Sequence, residues 1–64
     1  MSIKISMAAA RVNAGLTQEE AAKRIGVSKT TIVNWEKGET SPKMKQLDAI
    51  CNVYAIPADN INFF

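Results

Sequence analysis

At 64 residues and 47% hydrophobic content the chain is sized for one domain, residues 1–64, that buries only about 60% of its unfolded surface, so its core must be compact and helix-friendly. Zero histidines and a single cysteine, Cys51, rule out an intrachain disulfide and leave no His-dependent triad or zinc cluster, which argues against an enzyme and against a bound metal or cofactor. The formal net charge of +2 is unevenly spread: residues 23–45 hold six cations (Lys23, Arg24, Lys29, Lys37, Lys43, Lys45) against two anions (Glu36, Glu39), the first 22 residues are neutral, and the tail from Gln46 carries −2.

A basic middle reads either as a solvated charged face or as the electrostatic footprint of a polyanion. No apolar run approaches the roughly 18 residues that a bilayer span requires, and no basic-then-apolar leader opens the chain. A lone cysteine suits a reducing compartment, so the expected location is the cytoplasm.

In chain order, the punctuation marks five short helices and an all-α bundle. The first starts after Ser2 or Ser6 and ends at Gly15, with Ile3, Met7, Ala10 and Ala14 on one stripe and Arg11 beside them. The alternation in Ile3-Lys4-Ile5 also fits a short strand, so residues 3–5 stay open between the two. The second helix has the better start: Thr17-Gln18-Glu19-Glu20 is a capping box, in which Thr17 and Glu20 satisfy each other's amides, and two glutamates oppose the positive end of the dipole. Ala21, Ala22 and Ile25 form its buried stripe until Gly26 supplies a left-handed or crowded turn.

Ser28 caps a third helix only two residues later, and Ile32 with Trp35 makes an apolar i, i+3 pair before Gly38 ends it. Helices joined by so short a turn cross steeply, as in a helix-turn-helix. Ser41-Pro42 offers a cap and a first-position proline for a fourth helix, whose Met44, Leu47, Ile50, Cys51 and Tyr54 recur at helical spacing. Cys51 reads as a small core hydrophobe and the methionines as gap fillers. Pro57 opens a short fifth helix carrying Ile61, with Phe63 and Phe64 at the end.

On a wheel of about 100° per residue, Ile32 and Trp35 of the third helix point one way with Glu36 at their margin, and Lys29, Thr30, Val33, Asn34 and Lys37 point the other. The polar face suits the major groove of B-DNA: lysine can donate to guanine, asparagine can pair with adenine, and a threonine methyl can pack on thymine. Each residue also has a plainer reading. Lys29 can be a solvated side chain, Thr30 and Thr31 local caps, and Asn34 a surface residue.

The stretch TQEEAAKRIGVSKTTIVNWEKGETSP, Thr17 to Pro42, closely resembles the phage-repressor and Cro-like helix-turn-helix family, also called XRE, through Gln18, Ala22, Gly26, Val27, Ser28, Ile32, Trp35, Glu36 and Gly38. With the flanking helices the resemblance covers about residues 7 to 61. It implies a lambda-repressor-like DNA-binding domain and a role for each matching residue. Lys29, Thr30 and Asn34, with Thr31 next, would read base edges. Gln18 and Ser28, then Lys37, Thr40, Lys43 and Lys45, would hold phosphates, the first from a helix N-terminus that suits an anion. Arg11 would pair with Glu36 as a structural ion pair. The chain departs from the family in having Ala10 and Ala21 where larger aliphatic residues are usual, and Trp35 is expected to fill the space they leave.

These residues predict a transcriptional regulator of bacterial or phage type, a repressor, that occupies a double-stranded DNA operator and takes no small-molecule ligand. It would act as a homodimer, with Ile61, Phe63 and Phe64 either closing the monomer core or forming an apolar dimer patch. The rival reading is an antitoxin-like or other protein-interaction module with secondary DNA binding, which an apolar C-terminal surface would favour.

Overall fold

The computed structural model describes residues 3–63. The described residues hold a short strand β1 (Ile5–Ser6), helices α1 (Met7–Asn13), α2 (Gln18–Ile25), α3 (Lys29–Lys37) and α4 (Met44–Tyr54), a single 3-10 turn at Ala58–Asn60, and a second strand β2 (Ile61–Asn62). Ser2 as a helix start and Phe64 in the apolar patch lie outside the described residues.

Capping chemistry fixes the helix boundaries. Ser6 accepts the Ala9 amide at 3.0 Å and starts α1 there, which leaves Ile5 and Ser6 free to pair in a parallel register with Ile61 and Asn62. Ile3 is consequently outside α1 and 72% exposed, not part of the buried stripe. The Thr17 hydroxyl accepts the Glu20 amide and Glu20 accepts the Thr17 amide, so the capping box of α2 is complete. Ser28 accepts the Thr31 amide to open α3. Gly26 ends α2 at φ 91° and Gly38 ends α3 at φ 80°. Nothing lies within 4 Å of a β-carbon built on Gly26, so the turn requires its left-handed conformation and not its smallness.

Two elements differ from the sequence reading. α4 begins at Met44, behind Lys43 and not at Pro42, because Gln46 reaches back to accept the Lys43 amide at 2.7 Å, whereas Met44, three residues after Ser41, offers no acceptor. Pro42 is buried in the preceding loop, and Met44 at the first helical position is 84% exposed instead of sharing the core stripe. The fifth helix is only one 3-10 turn. Beyond it Ile61 and Phe63 are buried with Asn62 exposed between them, a period-2 pattern that belongs to a strand. The fold is therefore mainly helical, with four α-helices and a small strand pair, instead of an all-α bundle of five helices.

One apolar cluster joins the four helices and the two strands. Ile32, Ile50 and Ile61 are its most enclosed large side chains, with Met7, Ala10, Leu16, Ala21, Ala22, Trp35, Tyr54 and Phe63 around them. Ala10 and Ala21 are buried in the same cluster as Trp35. Ile61 and Phe63 are 2% and 9% exposed, so they close the monomer core and are unavailable as a dimer patch.

Candidate nucleic-acid interface

α3 is held from behind and open in front. Ile32 and Trp35 anchor it in the core, Lys29, Thr30 and Lys37 are exposed, and Thr31, Val33 and Asn34 are half-buried. Thr30 and Asn34, four residues apart, share one exposed side of the helix. The Ser28 hydroxyl, which caps α3, also shares a 2.9 Å hydrogen bond with the Thr31 hydroxyl.

The start of α2 meets the start of α3. Thr17, Gln18, Glu19 and Lys29 line one open depression, which brings two of the sequence-derived candidates, Gln18 and Lys29, together. Lys29 Nζ sits 3.6 Å from Glu19 Oε1, a pair whose side chains are 54% and 71% exposed. Screening and side-chain entropy leave such a pair with little energy, so Lys29 is free to exchange Glu19 for another acceptor. Sequence reasoning missed Glu19, because only the tertiary arrangement across the turn places it beside Lys29.

Behind this depression lies a half-buried polar network. Glu36 accepts hydrogen bonds from Arg11 Nε at 2.7 Å, Arg11 Nη2 at 3.3 Å and Gln18 Nε2 at 3.1 Å. Arg11 Nη1 also donates to the Leu16 carbonyl at 2.8 Å, which ties α1 to the loop before α2. The Glu36 hydrogen bond raises the Arg11 pKa further, and the fork geometry makes this a fixed ion pair. Tyr54 stands in the same field: burial, then the Glu36 charge, push its phenol up to about 12.

The remaining candidates lie at and beyond the end of α3. Lys37, Thr40, Lys43 and Lys45 are all exposed, and the amides of Glu39 and Thr40 fold back onto the Asn34 carbonyl. Lys43 and Lys45 flank the first turn of α4, whose N-terminus has no side-chain cap from residue 43. Exposed cations beside the positive end of a helix favour an anion. Among the described residues no group of three or more metal-ligating side chains is assembled, and no helix is long and apolar enough to cross a membrane.

A helix-turn-helix family matches the chain over residues 7–61. The cryptic phage CTXphi transcriptional repressor RstR of Vibrio cholerae is 43% identical over 47 residues, which cover 73% of this chain and 42% of that protein. An uncharacterized HTH-type transcriptional regulator of Archaeoglobus fulgidus is 41% identical over 54 residues, 84% of this chain and 76% of its own length. The HTH-type transcriptional activator BcrR of Enterococcus faecalis is 35% identical over 51 residues, 80% of this chain and 25% of that protein. The chain thus spans less than half the length of two of these relatives. The match runs from the first residue of α1 to the buried Ile61, through the capped turn between α2 and α3, and on this ground the chain belongs to the XRE-type helix-turn-helix family.

Proposed function

We propose that the chain is a sequence-specific transcriptional regulator of the cytoplasm that places α3 in the major groove of a DNA operator, residues 1–64 acting as one binding unit. The observation that carries this reading is the two-faced α3: Ile32 and Trp35 fix it in the core while Lys29, Thr30 and Asn34 stand on its open side. A groove about 12 Å wide admits one such helix. Lys29 and Asn34 carry the donors that read guanine and adenine, Thr30 offers its methyl to thymine, and Thr31 contributes next to them. Gln18, Ser28, Lys37, Thr40, Lys43 and Lys45 hold phosphates on both sides and set the register.

The relative named a repressor favours repression by operator occupancy, although another relative is named an activator. One helix of nine residues reads few bases, so two copies on half-sites about 34 Å apart are proposed. Their contact surface lies elsewhere than at Ile61 and Phe63, which are in the core. The same burial keeps Ile61 and Phe63 from supplying the apolar C-terminal surface that would favour the antitoxin-like reading.

Selection of bound duplexes from a random DNA pool tests the proposal. It should return two related half-sites about one helical turn apart, with affinity that falls steeply as salt rises. Asn34→Ala should then lose about 1–3 kcal/mol of discrimination at one base position while binding to mixed-sequence DNA is retained. Affinity independent of salt would overturn the reading.

A further inference from the structure

The Glu36 carboxylate of α3 gathers donors from two other elements. Arg11 of α1 supplies Nε and Nη2, and Gln18, the first residue of α2, supplies Nε2 at 3.1 Å. An ionised carboxylate only accepts, so Gln18 must turn its NH2 group toward Glu36. That contact consumes one of the two amide hydrogens. The second hydrogen remains, on a half-buried side chain that lines the open depression shared with Thr17, Glu19 and Lys29.

We propose that Glu36 is a positioning residue for DNA: anchored by Arg11, it orients the Gln18 amide so that the remaining N–H meets a backbone phosphate at the N-terminus of α2. The inference rests on the DNA-binding reading above and deepens it. Two physical consequences support the arrangement. A glutamine held at one hydrogen loses less rotameric freedom when its other hydrogen is clamped by a phosphate than a freely rotating one does. The Arg11 guanidinium, 2.7 Å away, neutralises Glu36, so the carboxylate can stand behind a phosphate contact without repelling the phosphate. Arg11 therefore serves the interface without touching it.

The test is a double-mutant cycle on binding to a mixed-sequence DNA duplex at low salt, with Gln18→Ala, Glu36→Met and the double variant, followed by fluorescence anisotropy. Gln18→Ala should weaken binding roughly tenfold in the wild-type background, the scale of one charge-assisted hydrogen bond. In the Glu36→Met background, which offers Gln18 no oxygen, the same substitution should cost less than about twofold, because Gln18 is no longer held. The cycle cancels the charge change at residue 36, which a purely structural role would leave uncoupled to Gln18.

An equal loss in both backgrounds overturns the inference, as does no loss in either. Failure of the wild-type chain to bind the duplex sinks the DNA-binding reading itself. Should Glu36→Met fail to fold, 15N NMR of the wild-type protein decides. One Gln18 side-chain amide proton should exchange slowly in the free protein, and its partner should shift when duplex is added. Two rapidly exchanging, unshifted Gln18 protons overturn the proposal.

Discussion

Arg11 contributes through what it prevents as much as through what it bonds. Its guanidinium and the Glu36 carboxylate keep only 14% and 10% of their side-chain surface exposed, so removing either leaves a half-buried charge with too few partners. Arg11→Ala should lower stability by about 2–4 kcal/mol, read as a fall in urea midpoint with an unchanged slope. Tyr54 reports on the same network through pH. Its folded pKa is raised, from 10.0 to about 12, so its contribution is fully present below pH 10 and is lost as pH rises toward 12. Tyr54→Phe should flatten the fall in stability between pH 10 and 12 relative to the wild type, measured by urea unfolding. At this scale the sequence was only partly legible. The Arg11 and Glu36 pairing followed from the family resemblance, whereas Gln18 on Glu36 and Glu19 beside Lys29 left no local signal, since each joins residues of different helices.

Helix ends were legible where the complete motif was written locally. Thr17 with Glu20, Ser28, Gly26 and Gly38 each carry their own geometry. The start of α4 was not, because Ser41-Pro42 resembles a cap and first-turn proline while the operative acceptor is Gln46, two residues farther along than that reading requires. The end of α4 shows the converse. Ala55 closes it at φ 54° and ψ 45°, a left-handed position filled by glycine at the ends of α2 and α3. Ala55→Gly should therefore stabilise the protein by about 0.5–1 kcal/mol, the left-handed penalty less the added backbone freedom of glycine in the unfolded chain. Differential scanning calorimetry checks this as a higher melting temperature.

The whole molecule is closed by its two short strands. Ile5 pairs with Ile61 and Ser6 with Asn62, and Asn60 Nδ2 donates to the Ile3 carbonyl at 3.1 Å, so segments from opposite ends of the chain support one another. The alternation in residues 3–5 kept a first strand open as a reading, but its pairing escaped a local one, since the partner is distant in sequence and was read as helix. Ile61→Ala should cost about 2–4 kcal/mol by the cavity it leaves at a fully enclosed site, checked by equilibrium urea unfolding. The strand pair also carries a kinetic signature. The contacts that join the two ends, Ile5 with Ile61 and Ile3 with Asn60, span the longest stretches of chain among the named contacts and cost the most loop-closure entropy, so this clasp is expected to fasten after the helices have docked. Stopped-flow traces of Ile61→Ala should then show faster unfolding at a nearly unaltered refolding rate, and exchange-labelled amides of α1 should open together with the chain's far end.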